Sequence, residues 1–245
     1  MRMMTNREII LGYAAANGGD IVRKDFVPWF ENAYPDGSLR SIDTELRQMV
    51  SAGVLERIRN GRFSLISDAR LPYIPAISPE MKTLSLKIKE MYPYLDFCIW
   101  QGRALSSFMQ HVPGLDMLMV ETDRNASEAV YEDVRKLAAG RTVLLRPTEK
   151  ECRLYAAGAP SLILRDLISE APTMSVDGVT TASLEKILVD ATIAPEFEFA
   201  RGAELYTIYE NADQMYRIGK KTMLRYAARR GRKEEIGKLM ESTML

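Results

Sequence analysis

The sequence predicts an α+β fold made of two domains. Residues 39–52 show the three- and four-residue apolar spacing of an amphipathic helix, and two β-like runs follow it on either side of Asn60-Gly61. From residue 81, short apolar runs alternate with helical segments, as in a mixed α/β layer. The predicted organisation is an N-terminal domain at residues 1–68, a proline-containing linker at residues 69–80, and an α/β domain with a basic helical C-terminus at residues 81–245.

The N-terminal domain is predicted to contain a helix, a short strand, a helix, a turn, a helix and a hairpin, in that order. The first helix begins at Thr5, which forms a capping box with Glu8. The third helix begins after Ser38, a typical N-cap residue, and ends at Gly53. These signals bound a helix over residues 39–52, just before the hairpin.

The third helix has two distinct faces. Its apolar stripe consists of Leu39, Ile42, Leu46, Met49 and Val50. A step of about 100° per residue places the opposite, polar arc at Arg40, Thr44, Arg47 and Ser51. One face is therefore expected to pack on a core, and the other is expected to face solvent or a ligand.

The hairpin that follows is basic at its tip. Asn60-Gly61 favours a type I′ turn, and pairing across this turn places Ile58 opposite Phe63. Arg59 and Arg62 then flank the tip. A helix with a basic outer face followed by a basic hairpin predicts a winged helix-turn-helix.

This fold suggests that the N-terminal domain binds double-stranded DNA. Arg40, Thr44 and Arg47 would face the major groove, and Arg59 and Arg62 would contact phosphate or the neighbouring minor groove. Ser41, Gln48 and Ser51 would reach phosphates or base edges. Two alternatives remain open, namely an ordinary solvated helix face and a winged helix that binds a protein.

The charge distribution indicates a second candidate DNA surface. The chain has 33 Lys/Arg and 33 Asp/Glu residues, so its formal net charge is zero. Residues 1–70 carry 10 basic and 9 acidic residues, whereas residues 217–238 carry 9 and 2. Lys221, Arg225 and Arg229 in this basic region could meet DNA phosphates. Alternatively, the basic face packs against the acidic residues in the middle of the chain or is simply solvated.

The second domain is predicted to alternate strands and helices and then to become helical. Its predicted strands are residues 95–100, 117–120, 142–145, 161–164 and 173–176. Its predicted helices are residues 81–91, 104–111, 127–139, 183–190, 204–216, 221–230 and 233–240.

Part of this domain resembles a nucleotidyltransferase core that lacks its metal ligands. Gly102 and Asp116 lie where such enzymes have a Gly-Ser pair and the first metal-binding acid. However, Arg103 replaces the serine and Leu118 replaces the second acid, and a step of five residues along a strand turns Glu121 to the opposite face. We therefore expect no catalytic residue, no metal site and no cofactor. A divergent nucleotidyltransferase-fold enzyme is the alternative.

The sequence has few other features typical of catalytic, metal-binding or membrane segments. His111 is the single histidine, and it has no obvious orienting acid. Cys98 and Cys152 form neither a disulfide framework nor a metal-binding pair. No apolar run approaches the length of a membrane span, and residues 1–6 lack the apolar core of a signal peptide. We expect a cytoplasmic protein without a membrane partner.

The motif running from the third helix into the hairpin resembles that of AbiEi-like antitoxins from abortive-infection systems. The similar residues are Leu46, Met49-Val50, Gly53-Val54-Leu55-Glu56-Arg57 and Gly61-Arg62-Phe63, with Phe63 where the family usually has tyrosine. The segment from Thr181 to Ala191 and the basic helical end are similar to the C-terminal part of these antitoxins.

The resemblance implies a type IV toxin–antitoxin system. The protein would repress its own promoter by binding inverted repeats, and it would oppose a nucleotidyltransferase-like toxin without forming a stable complex. A small-molecule-sensing regulator remains a further alternative, since α/β domains behind winged helices often bind ligands.

Overall fold

A computed structural model shows that the chain is a mixed α+β protein with a helical C-terminus. The structure describes residues 5–66, 70–111, 114, 116–138, 140–156 and 158–244. The chain forms two compact units, unit 1 (Met1–Ala69) and unit 2 (Arg70–Leu245). The predicted domain end at residue 68 and the first linker residue lie outside the described residues. No helix among the described residues is long and apolar enough to cross a membrane.

The described residues of unit 1, 5–66, form three helices and a three-stranded antiparallel sheet. Its elements are α1 (Asn6–Ala16), β1 (Asp20–Val22), α2 (Arg23–Ala33), α3 (Leu39–Ser51), β2 (Leu55–Arg59) and β3 (Arg62–Leu65). The strand order is β1-β3-β2. The predicted order of elements is thus confirmed. The predicted capping box is also present, because the Glu8 N–H donates to Thr5 Oγ1 and the Thr5 N–H donates to the Glu8 carboxylate.

The three helices and the sheet of unit 1 enclose one apolar core. Ile10, Ile21 and Ile42 are fully buried in it. The aromatic rings of α2 fill its centre, since the Phe26 and Phe30 rings stack with their centroids 5.9 Å apart. Each helix therefore has one buried stripe, and the opposite face of α3 is left to solvent.

The hairpin differs from the predicted register. Arg57 pairs with Phe63 and Arg59 pairs with Arg62, and the register shifts between Arg57 and Arg59. Ile58 is the extra residue of this β-bulge, so its predicted position opposite Phe63 is wrong. The predicted type I′ turn is also wrong. That turn needs positive φ at both central residues, and only Gly61 has it (71°).

Unit 2 is built on a four-stranded mixed sheet. Its first elements are β4 (Leu71–Pro72), α4 (Pro79–Met91), β5 (Phe97–Gln101), β6 (Met117–Thr122), α5 (Ser127–Leu137), β7 (Thr142–Leu145), α6 (Glu149–Glu151) and β8 (Ser161–Asp166). The remaining elements are β9 (Thr173–Val176), β10 (Val179–Ala182), α7 (Leu184–Ile193), α8 (Ala203–Met215), β11 (Tyr216–Arg217), α9 (Lys220–Arg229) and α10 (Lys233–Thr243). The sheet order is β5-β6-β8-β7, with β5 antiparallel to β6 and the other pairs parallel.

Two predicted features of unit 2 are altered by contacts distant in sequence. The predicted helix at 104–111 is wrong, because a 3₁₀ turn at Gly102–Leu105 leads into irregular chain. There the Phe108 carbonyl accepts from Asn211 Nδ2 (2.9 Å) and the Gln110 N–H donates to Glu204 (2.7 Å). In the segment predicted as a linker, β4 pairs in parallel with β11, so residues 70–80 belong to unit 2.

The sheet of unit 2 has a core on each face. Alternate strand residues point to opposite sides, so Cys98 and Trp100 lie in one core and Phe97 and Ile99 lie in the other. The first core packs the sheet against α7, α8, α9 and α10, and the second packs it against α4 and α5. The helical C-terminus is therefore part of the main core of unit 2.

A buried charge cluster connects the sheet to the C-terminal helices. Lys186 on α7 is fully buried, and its Nζ lies 2.6 Å from Glu121 Oε1 and also pairs with Asp190. Trp100 Nε1 donates to Glu121 (2.7 Å), and the Tyr226 hydroxyl donates to Asp190 (2.9 Å). Burial alone lowers the pKa of Lys186, but Asp190 and Glu121 outweigh it and raise this pKa well above its usual value. The cluster joins β5, β6, α7 and α9.

We predict that Lys186→Met lowers the free energy of unfolding of unit 2 by about 3–5 kcal/mol, because it leaves two buried carboxylates without their shared cation. The change can be measured by denaturant unfolding in a Trp29→Phe background. In that background Trp100 is the remaining tryptophan and reports on unit 2.

The matched control is Lys82→Met. Lys82 pairs with Asp177 at 2.8 Å, but both side chains are about half exposed or more. Its loss is expected to change the free energy of unfolding by less than about 1 kcal/mol. Equal losses in the two variants would contradict the role assigned to the buried cluster.

Candidate nucleic-acid interface

Local signals and core packing determine how α3 is oriented. Ser38 Oγ accepts from the Ser41 N–H (3.4 Å) at the start of the helix, and Gly53 adopts φ 66° just after its end. Ile42, Leu46 and Met49 are buried. The opposite face is exposed and carries the predicted residues Arg40, Ser41, Thr44, Arg47 and Gln48.

The side chains of this exposed face are anchored by local hydrogen bonds. Thr44 Oγ1 donates to the Arg40 carbonyl (3.0 Å), and Arg47 Nε donates to the Asp43 carbonyl (3.1 Å). Within the described residues, neither Arg40 nor Arg47 forms an ion pair. Both guanidinium groups therefore keep donors available for an anion or a base edge.

A groove separates α3 from the hairpin. It has a volume of about 560 Å³, and Arg47 of α3 and Arg57 of β2 both line it. The Arg57 guanidinium donates to Asn60 Oδ1 (2.7 Å), which holds its side chain along the hairpin. Arg57 is not among the DNA-binding residues predicted from the sequence.

The two arginines at the hairpin tip differ in their surroundings. Arg59 is exposed and forms no ion pair within residues 5–66. Arg62 pairs with Asp20 on the neighbouring strand, and hydrogen bonds from Arg62 and Ser64 lower the pKa of the Asp20 carboxyl. The charge of Arg62 is thus partly compensated, whereas that of Arg59 is not.

Most cations of the C-terminal basic region are already engaged within unit 2. Arg225 and Arg229 on α9 both pair with Glu170. Arg230 points inward to Asp190, and Arg232 pairs with Glu235. Of the three predicted residues on α9, only Lys221 has no ion pair within the described part of the chain. The arrangement favours the alternative in which this face packs against acidic residues.

The nucleotidyltransferase-like positions lie at one edge of the unit 2 sheet. Gln101 pairs with Leu118, so Gly102 and Asp116 are close to each other at this edge. Arg141 neutralises Asp116 (2.7 Å) and also pairs with Glu80 (2.6 Å). The residues that the structure describes include no group of three or more His, Cys, Asp or Glu that could hold a metal ion.

A cavity of about 460 Å³ lies at the same edge. Its apolar wall consists of Met117, Cys152, Ala156, Pro195 and Phe199. Its charged lining residues are Asp116, paired with Arg141; Glu196, paired with Arg165; and Glu198 and Arg153, paired with each other. Burial raises the pKa of Glu196 despite the adjacent Arg165. Each described charge on this wall therefore already has an internal partner.

The single histidine is on the surface. The His111 side chain is 90% exposed, and its Nδ1 is 3.6 Å from Glu204 Oε2. Cys98 and Cys152 are both buried, and burial raises the pKa of the Cys152 thiol to about 11. A thiol with such a high pKa is mostly protonated at neutral pH and is a poor nucleophile.

Residues 41–245 match a family described as a family of unknown function (DUF6577), and the chain belongs to this family. The matched region begins within α3 and includes the hairpin and all of unit 2. No curated protein matches the chain.

The turn at Gly37, just before α3, has little room for a side chain. A Cβ on Gly37 would lie 2.5 Å from Phe30 Cζ and 2.9 Å from the Tyr34 carbonyl oxygen. Phe30 is buried in the core of unit 1 and Tyr34 O is backbone, so neither can move freely. The close approach of this turn to α2 sets where α3 begins.

We predict that Gly37→Ala destabilises unit 1 by about 1–3 kcal/mol through this clash. Gly12→Ala is the control, because a Cβ on Gly12 in the interior of α1 meets nothing within 4 Å. That substitution is expected to stabilise α1 by about 0.5–1 kcal/mol. Hydrogen exchange of unit 1 peptides, followed by mass spectrometry on the whole chain, measures both effects. Unchanged protection of α3 in Gly37→Ala would refute the steric argument.

Proposed function

We propose that unit 1 is a winged helix-turn-helix that binds double-stranded DNA, and that the protein is a transcriptional regulator. The observation that carries this proposal is the exposed face of α3, where Arg40 and Arg47 form no ion pair with a described residue and lie beside a basic hairpin. The exposed face lies on an α-helix of 13 residues. An α-helix with its side chains is about 10–12 Å across, and the major groove of B-DNA is about 12 Å wide, so α3 can enter it.

In this proposal α3 selects the sequence. Arginine can donate two hydrogen bonds to guanine O6 and N7, so Arg40 and Arg47 suit that role. Ser41, Thr44 and Gln48 carry shorter polar groups that can reach phosphates or base edges. The hairpin is the wing, and Arg57 and Arg59 contact the backbone beside the groove.

We further propose that the protein is the antitoxin and autorepressor of a type IV toxin–antitoxin system. The support is the AbiEi-like motif, which in this chain forms the second half of α3 and the hairpin. Its DNA target would be inverted repeats in its own promoter. Its functional counterpart would be a nucleotidyltransferase-like toxin with which it forms no stable complex, and both would act in the cytoplasm.

We also propose that unit 2 is a degenerate nucleotidyltransferase-like layer without catalytic activity. Three observations support this part of the proposal. Gly102 and Asp116 lie close together at one edge of the sheet. Arg141 forms an ion pair with the Asp116 carboxylate, which would be a metal ligand in an active enzyme. Leu118, at the position of the second metal ligand, is fully buried.

We predict that the Arg40→Ala/Arg47→Ala double variant binds the DNA upstream of its own gene at least about 30-fold more weakly than the wild type, since each bidentate contact contributes about 1–3 kcal/mol. Fluorescence anisotropy at fixed salt measures the change. The control, Lys87→Ala/Lys150→Ala, removes the same charge from exposed positions of unit 2 and is expected to bind normally. Equal affinities for wild type and the Arg40/Arg47 variant would exclude α3 as the recognition helix.

The antitoxin role leads to a separate prediction. A nucleotidyltransferase-like protein encoded beside this gene is expected to arrest growth when expressed alone, and co-expression of this chain is expected to restore growth. The Arg40→Ala/Arg47→Ala variant should restore growth equally well, because the resemblance to AbiEi-like antitoxins implies that the C-terminal domain carries the neutralising activity. Failure of the wild-type chain to relieve the arrest would contradict the antitoxin role and leave DNA binding untouched.

A further inference from the structure

A second cleft lies on the other side of the hairpin from the α3 groove. Its volume is about 830 Å³, and the first turn of α2 and the hairpin tip form its walls. Its lining residues are Val22, Arg23, Lys24, Val27, Pro28, Arg59, Asn60, Gly61 and Arg62. Four of these nine residues are cationic and none is acidic, so the cleft is a concentrated site of positive charge.

The two walls of this cleft are joined directly. The Arg23 N–H donates to the Gly61 carbonyl (2.7 Å), and Val22 pairs with Arg62 in the sheet. A Cβ on Gly61 would lie 3.5 Å from Arg23 Cβ, which shows how closely the walls approach. The cations are therefore carried on connected elements that hold them in one place.

Two of the four cations form ion pairs with acids of unit 1, and the other two do not. Arg23 pairs with both carboxylate oxygens of Asp43, and Arg62 pairs with Asp20. Both of these acids lie outside the cleft lining. Lys24 and Arg59 are exposed, and neither forms an ion pair with a described residue of unit 1. Two like charges held in one cleft repel each other, and an anion placed between them relieves that repulsion.

The cleft is continuous with the proposed recognition surface. Arg23 and Gly61 line both this cleft and the groove between α3 and the hairpin. Positive charge therefore extends from Arg47 and Arg57 on one side of the hairpin, over its tip, to Arg59 and Lys24 on the other. A polyanion that spans the tip can contact both sides, whereas a single small anion can contact only one.

We propose that the cleft binds the phosphodiester backbone of the duplex on which α3 docks, with Lys24 and Arg59 as its main phosphate contacts. This inference rests on the proposed DNA-binding function. Duplex DNA carries one negative charge per about 1.7 Å of axis, so it supplies phosphates to several cations at once. Because these contacts reach the backbone alone, they increase affinity equally for all sequences.

The test is the Lys24→Ala/Arg59→Ala double variant, compared with the Lys87→Ala/Lys150→Ala control. Dissociation constants are measured by fluorescence anisotropy over a range of salt concentrations, on the upstream DNA of its own gene and on a scrambled duplex. Losing two phosphate contacts should reduce the slope of log K against log salt by about 1.8. We expect an affinity loss of about tenfold or more on both duplexes and no change in the control.

The outcomes separate this inference from the proposed function. An unchanged salt slope, with Arg40 and Arg47 still required for binding, overturns the cleft assignment and leaves the recognition helix in place. A loss confined to one sequence also overturns it, since backbone contacts do not discriminate. A further outcome is that the wild type binds poly-glutamate and no duplex, with that binding lost in the double variant. This result would overturn the inference and show that the cleft binds an acidic protein. No duplex binding by the wild type at any salt concentration removes both proposals.

Discussion

The buried Lys186 ammonium group is the constraint on which unit 2 depends. Taking a cation and two carboxylates out of water is unfavourable unless each charge has close partners. Asp190 provides a partner from the same helix, and Glu121, Trp100 and Tyr226 complete the cluster from β6, β5 and α9. These bonds form only when α7 and α9 lie correctly against β5 and β6. The charge cluster thus specifies one arrangement of the C-terminal helices, in addition to the apolar core that surrounds it.

This constraint also explains the basic C-terminal region. Arg230 follows Tyr226 by one helical turn and points toward Asp190, so part of the positive charge complements the buried carboxylates. Arg225 and Arg229 pair with Glu170. Charge excess along a sequence therefore reflects the packing of unit 2 as much as any external partner. In unit 1, by contrast, packing does not account for the basic surface, because Arg40, Arg47 and Arg59 have no acidic partner among its described residues.

Local patterns predicted local structure well in this chain. The apolar spacing of α3, the capping box at Thr5 and the run at Thr142–Leu145 all correspond to observed elements. The errors arise where distant residues intervene. Asn211 and Glu204 occupy backbone groups that a helix at 104–111 would need. The buried bond between Lys186 and Glu121 joins residues 65 positions apart, which no helical or strand period reveals.

Unit 1 is almost neutral in composition but still presents a basic surface, because two of its acids near that surface form ion pairs while several of its cations do not. Asp20 and Asp43 are held by Arg62 and Arg23, and these pairs remove two acids from competition with an anionic ligand. Among the described residues, the cations without an ion pair include Arg40 and Arg47 on α3 and Lys24 and Arg59 around the hairpin tip. A protein with few such cations binds random DNA weakly, since non-specific affinity grows with the number of phosphates contacted. In the proposed complex, base contacts by α3 would then account for a larger share of the total affinity, which would favour discrimination between sequences over tight binding to all of them.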